Sequence, residues 1–263
     1  MEILPLVIIF VFGLCIGSFL NVVILRLPQE ESLAGRSHCP NCKRLLSFLE
    51  LLPVVSFLGL GAKCRTCGKK ISWRYPLIEV LVAGLFVLFW VTISPGNLVE
   101  YLLLFQSLVL IGFLVAVFVI DLERYIILDR LVFPAAILFF FINLIRDGVS
   151  HQYLTASFSG IIGAFAGVLP FFLIWYFSKG RLMGFGDVKL MLPLGLVAGW
   201  PGILITFLIG VFSGSFVGLL LLILGKKTLK SALPFGCFLS FGALIAQIYA
   251  KPILSWYLSL LGL

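Results

Sequence analysis

The chain reads as a succession of long apolar runs separated by short polar joints. Runs at Ile3–Leu25, Pro76–Ile93, Leu98–Ile120, Leu131–Ile145, Phe158–Phe177, Val188–Ala198, Ile203–Leu224 and Phe235–Tyr249 are built mostly from Leu, Ile, Val, Phe, Ala and Gly. A helix needs about 20 such residues to cross a hydrocarbon core of about 30 Å. The pattern therefore predicts an all-α polytopic membrane protein with about eight transmembrane helices. The fourth and sixth runs are short, and a short or re-entrant segment fits them as well as a full span. The opening run lacks a basic flank and is too long for the apolar part of a signal peptide, so it is expected to be the first spanning helix.

Composition removes the soluble alternative. With 62% hydrophobic and 11% charged residues and a mean hydropathy of +1.20, the chain has more apolar surface than a water-soluble globule of 263 residues could bury. Lipid is its expected partner. The net charge of +8 would suggest nucleic acid in a soluble protein, but here the placement of the basic residues matters more than their sum. With the amino terminus outside, all 19 Lys and Arg except Arg146 and Lys251 fall on inside loops or their edges, Lys230 among them. The positive-inside rule then places both termini outside and the long loop in the cytoplasm, with no nucleic-acid partner expected.

The segment 26–75 is the only sizeable polar stretch. It is expected to form one small cytoplasmic loop domain, flanked by a first transmembrane helix over 1–25 and a membrane core over 76–263. Cys39 and Cys42, then Cys64 and Cys67, make two CxxC pairs about twenty residues apart, the spacing of one tetrahedral zinc site with four cysteine ligands. Four thiolates leave no open position for water, so such a zinc is structural. A loop with so little apolar sequence gains from a metal staple. His38 adjoins Cys39 without being needed as a ligand. Cys15 and Cys237 sit in apolar runs and are expected to be small buried hydrophobes. Gly160, Gly163, Ala164, Gly167, Gly210, Gly214 and Gly218 recur at helical spacing, which suits close helix contact in lipid.

Four aspartates remain: Asp121, Asp129, Asp147 and Asp187. Ionisable groups near a membrane interior are functional candidates by default. Asp121 ends the third run and Asp187 opens the sixth, so the topology brings both to the cytoplasmic boundary. Two carboxylates at one depth can share a proton and divide the roles of base and acid. A helix cap explains Asp187 equally well, and a transporter site for a cation or proton is a third reading. No HExxH or GxSxG motif offers another protease chemistry.

A set of motifs in order along the whole chain decides among these readings. Gly17-Ser18-Phe19-Leu20-Asn21-Val22, Arg26-Leu27-Pro28, the two CxxC pairs, Leu52-Pro53-Val54-Val55-Ser56 and Arg74-Tyr75-Pro76-Leu77-Ile78-Glu79 come first. Ile120-Asp121 with Asp129, Gly184-Phe185-Gly186-Asp187-Val188-Lys189-Leu190 and Pro234-Phe235-Gly236 follow. In these the chain resembles the type IV prepilin leader peptidase/N-methyltransferase family, membrane aspartyl proteases of the GxGD type. The resemblance implies Asp121 and Asp187 as the catalytic pair, with Asp129, Gly184, Gly186 and Lys189 in support. Asp129 departs from the family pattern in following Leu128 rather than proline. Asp147 matches nothing and is expected in a solvated outer loop. Gly17, Ser18, Asn21 and Glu79 match motifs and are given no chemical role beyond packing.

The resemblance further implies prepilin and pseudopilin substrates, of type IV pili or type II secretion, cut on the cytoplasmic side of the bacterial inner membrane between a glycine and a hydrophobic helix. S-adenosylmethionine would be the methyl donor for the new amino terminus. That activity rests on the resemblance alone, since the sequence holds no Rossmann-type fingerprint for the donor; the loop with its CxxC pairs is the contributor the resemblance implies.

Overall fold

A computed structural model describes residues 3–151, 154–228, 231–260 and 262. Lys230, counted above among the inside charges, lies outside them. The described residues fold into helices α1 (Ile3–Arg26), α2 (Val55–Gly59), α3 (Arg74–Ile93), α4 (Leu98–Arg124), α5 (Asp129–Ser150), α6 (Thr155–Ser178), α7 (Phe185–Ala198), α8 (Gly202–Ile223) and α9 (Phe235–Leu260). All eight apolar runs become helices. Among the described residues seven helices are long and apolar enough to cross a membrane, and the fourth run is among them because its helix extends beyond the apolar stretch to 22 residues. The sixth run makes only the 14-residue α7. Large exposed hydrophobics such as Phe165, Phe212, Phe216 and Leu219 leave the long helices apolar on their outer faces, as lipid requires.

The chain divides into two compact units. The first holds residues 1–95 with Leu108–Ala116 of α4, and the second holds 96–107 with 117–263. In the first unit α1 and α3 run antiparallel in close contact. A Cβ on Gly13 would lie 2.6 Å from Ala83 Cα, and one on Gly17 would lie 2.6 Å from Glu79 Cα. One turn further, Asn21 Nδ2 donates to Tyr75 O at 3.1 Å. The steps 13–83, 17–79 and 21–75 form one seam, made possible by small residues four apart.

In the second unit the same device holds α7. Gly160, Gly163 and Gly167 of α6 meet Leu196, Gly195 and Met191 in antiparallel order. A Cβ on Gly195 would lie 2.4 Å from Ala164 Cα. Gly210, Gly214 and Gly242 bring α8 against α9 in the same way. Leu190, Met191 and Leu194 of α7 are almost wholly buried. Asn143 of α5 donates to Leu196 O at 2.8 Å and accepts from Gln106 of α4 at 3.0 Å.

Two expectations are corrected. Asp147 is no solvated loop residue; it lies in α5, is buried, and accepts 2.8 Å bonds from the backbone N–H groups of Ala156 and Ser157. Its carboxylate thereby satisfies the open first turn of α6, where a negative charge is favoured. Cys15 is exposed rather than buried, because the close-packed face of α1 belongs to Gly13 and Gly17; Cys237 is buried as expected.

The α6–α7 seam gives a direct test. Gly195→Ala should destabilise the detergent-solubilised chain by about 1–3 kcal/mol through overpacking. Gly84→Ala, where a Cβ meets nothing within 4 Å, should be neutral or stabilise by about 0.5–1 kcal/mol through helix propensity. Thermal unfolding of the two variants side by side measures the difference.

Candidate active site

Asp121 sits in the last turn of α4 and is 5% exposed. That helix ends at Tyr125, whose left-handed backbone (φ 58°) sends its N–H back to Asp121 O at 2.9 Å. The chain then continues through Ile126, Ile127 and Leu128 before α5 begins at Asp129. One carboxylate oxygen of Asp121, Oδ2, accepts from the backbone N–H of Cys237 at 3.2 Å. The first turn of α9 therefore lies directly against this carboxylate. Gly236 permits the approach, since a Cβ there would lie 2.8 Å from the same oxygen.

Asp187 is the third residue of α7, in its first turn. Gly184, not Asp187, is the cap residue of this helix, so the simple capping reading of Asp187 does not hold, although its charge still faces a favourable helix start. The starts of α7 and α9 both approach the α4–α5 connection at Ile127, next to the two carboxylates. Ile127 packs beside them: a Cβ on Gly186 would lie 3.0 Å from Ile127 Cβ, and one on Gly236 would lie 3.0 Å from Ile127 Cδ1. The second glycine of the Gly184-Phe185-Gly186-Asp187 motif thus makes room for the α4–α5 connection. A Cβ on its first glycine would make only ordinary contacts, 3.9 Å from Gly186 N and 4.0 Å from Asp187 Oδ2.

The other sequence candidates fall nearby. Lys189 forms an ion pair with Asp129 across the starts of α7 and α5, and its Nζ stands 5.4 Å from the centre of the Phe185 ring. Asp129 is half exposed. The sequence reading gave no role to Ile127, Gly236 or Cys237. Gly236 had a signal in Pro234-Phe235-Gly236, whereas Cys237 contributes a backbone N–H that any residue would carry.

The first unit holds a candidate metal centre. The four thiols of Cys39, Cys42, Cys64 and Cys67 lie within 4.8 Å of one another, and Sγ of Cys39 and Cys67 are 3.9 Å apart. A tetrahedron with Zn–S bonds of about 2.3 Å has edges of about 3.8 Å, so the donor set fits that metal. The two CxxC turns repeat one design. Cys39 N–H bonds Arg44 O and Lys43 N–H bonds Cys39 O, just as Cys64 N–H bonds Lys69 O and Gly68 N–H bonds Cys64 O, each at 2.9 Å. Lys43 and Gly68 both take positive φ, which turns the chain so that both sulfurs of each pair face one point.

Hydrogen bonds favour the thiolate at Cys64 and Cys67, whereas burial and the neighbouring thiols push Cys42 up to about 11. Backbone N–H groups of Cys67 and Thr66 hold the Cys64 thiol down to about 6, so it is thiolate at neutral pH, the form that binds metal. The N–H of Lys69 and the side chain of Asn41 lower Cys67 as well. Glu50 is held down to about 2 by the Ser47 backbone N–H, the Arg44 guanidinium and the Ser47 hydroxyl. Its ion pair with Arg44 ties the first CxxC turn to the segment that follows it.

Comparison with known proteins agrees with this architecture. The Bacterial Peptidase A24 N-terminal domain matches residues 11–93, and the Type IV leader peptidase family matches residues 108–219. The prepilin leader peptidase/N-methyltransferase of Aeromonas hydrophila is 34% identical over 95% of this chain and 93% of its own length. That of Bacillus subtilis is 34% identical over 96% and 98%, and that of Legionella pneumophila is 30% identical over 94% and 92%. No solved structure matches. With identity of this level sustained over nearly the full length of such relatives, and both family domains in sequence, the chain belongs to the prepilin leader peptidase/N-methyltransferase family.

Proposed function

We propose that this chain removes the basic leader from prepilins and pseudopilins at the cytoplasmic boundary of the bacterial inner membrane, with Asp121 and Asp187 as the catalytic pair, and then methylates the new amino terminus from S-adenosylmethionine. The cleavage reading is supported by the placement of Asp121 in the last turn of α4 and of Asp187 in the first turn of α7, with Ile127 packed beside the segments that carry both, in a chain of this family. Like charges held close favour one shared proton over two ionised groups. The ionised carboxylate takes a proton from water, whose oxygen attacks the scissile carbonyl carbon while the protonated carboxyl donates to the carbonyl oxygen. Collapse of the tetrahedral intermediate breaks the C–N bond: the first carboxyl passes its proton to the departing amine, and the proton on the former carbonyl oxygen returns to the second carboxylate.

The remaining groups position the pair. The Cys237 N–H holds Asp121 in one orientation, Gly186 and Gly236 admit Ile127 beside the carboxylates, and the Asp129–Lys189 ion pair joins the starts of α5 and α7. Zinc on the four cysteines would shape the loop without entering the reaction. In the methylation step the new terminal amine, once deprotonated to solvent, forms a bond to the methyl carbon as the carbon–sulfur bond breaks with its electron pair left on sulfur. The topology that suits this scheme counts the protein-enclosed α7 as an eighth crossing beside the seven long helices, so that both termini lie outside, with residues 1–25 as a first span, 26–75 as a cytoplasmic zinc loop and 76–263 as the peptidase core.

Asp121→Asn and Asp187→Asn should each lower prepilin cleavage by at least about 10²-fold while melting like the wild type. Full activity in either folded variant contradicts the assignment. Metal analysis should find one zinc per chain, reduced in Cys64→Ser. A brief chelator treatment should leave the cleavage rate unchanged; a rapid and reversible metal dependence of that rate would make the metal part of the chemistry.

A further inference from the structure

The first unit contains a cavity of about 620 Å³, in the range of small-molecule sites, lined by residues of α1, the 27–73 loop, α2 and the start of α3. The peptidase mechanism uses none of its residues. Its helical wall is rich in hydrogen-bond acceptors. Asn21 is 3% exposed, spends its amide N–H groups on Gly17 O and Tyr75 O, and leaves Oδ1 buried without a partner. Such an orphaned acceptor is costly unless a ligand completes it. Glu79, one turn along α3 from Tyr75, is buried. Its carboxylate accepts from Val54 N–H at 2.8 Å and from the Ser18 hydroxyl. Val54 stands at φ 60°, an uncommon conformation for a β-branched residue, and that backbone presents its N–H to Glu79.

The loop lining is opposite in character. Lys43, Arg44, Arg65, Lys69 and Lys70 outnumber Glu31 and Glu50 there, Arg26 of α1 spends its guanidinium on loop carbonyls, and His38 with Phe57 of α2 and Tyr75 of α3 offers aromatic surface. A cavity with a carboxylate and a free acceptor on its helices, cations on its loop and aromatic rings between suits a zwitterion that also carries a planar heterocycle. S-adenosylmethionine has that chemistry: a sulfonium and an ammonium for the acceptors, a carboxylate for the lysines and an adenine for the rings. Resting on the reading that this chain methylates its product, we infer that this cavity is the binding site of the methyl donor, with Asn21 and Glu79 as its recognition residues. The zinc loop then has a defined task, which is to supply the basic wall of that site.

The test is calorimetric binding of S-adenosylhomocysteine to the full-length, zinc-loaded chain in detergent, with prepilin cleavage and thermal melting measured on the same samples. Wild type should bind. Asn21→Ala, Glu79→Gln and the cavity-filling Ser56→Phe on α2 should each weaken binding at least tenfold while still cleaving, whereas Asp121→Asn should bind like the wild type and fail to cleave. Wild-type affinity in all three cavity variants, or a wild type that cleaves without binding, overturns the inference. Cavity variants that melt normally yet lose cleavage make the cavity a peptide site instead, which also overturns it. Binding by a wild type that cannot cleave would sink the peptidase reading and leave the cavity assignment standing. If Asn21→Ala or Glu79→Gln melts early, Ser56→Phe decides.

Discussion

A helix of 14 residues is about 21 Å long, too short to cross a hydrocarbon core of about 30 Å on its own. Helix α7 must therefore be enclosed by protein, because an exposed helix end in lipid leaves backbone groups unsatisfied. The structure meets this constraint with missing side chains and one amide. Glycines of α6 let the two backbones touch, and Asn143 completes the carbonyl of Leu196. Everything about the carboxylate pair depends on this arrangement, since the packing of α7 decides where Asp187 stands relative to Asp121.

Much of this was legible in the sequence, for physical reasons specific to each feature. The long spans announce themselves because lipid demands an uninterrupted apolar run. The CxxC pairs announce themselves because a tetrahedral metal needs fixed ligand types at short spacing, and the structure brings all four thiols together. Asp121 and Asp187 stood out through their scarcity and through the family motifs, and the segments that carry them both adjoin the α4–α5 connection. The glycine-rich spacing of α6 was visible as a packing device, and its partner proves to be the short helix.

What stayed hidden was what depends on tertiary proximity alone. Asp147 looked like a loop residue because it lies close to the end of an apolar run, yet its helix continues past it to Ser150 and its carboxylate serves the next helix. Cys237 donates through its backbone, which has no sequence signature. Asn21 and Glu79 could be assigned only to packing, because the steps pairing 13 with 83, 17 with 79 and 21 with 75 require knowing which helices touch. That seam also explains why polar residues on two apolar helices line a common cavity.

The central claim is that Asp121 and Asp187 act as one proton-sharing pair, and the pH dependence of kcat/KM for prepilin cleavage tests it most directly. A coupled pair that works with a single proton gives a bell-shaped profile: activity falls at low pH when both carboxyls are protonated and at high pH when both are ionised. The account predicts both limbs, with the double Asp121→Asn/Asp187→Asn variant no less active than the weaker single variant, because residues that act as a unit lose their function together. A profile with one limb, or losses that multiply in the double variant, would contradict it.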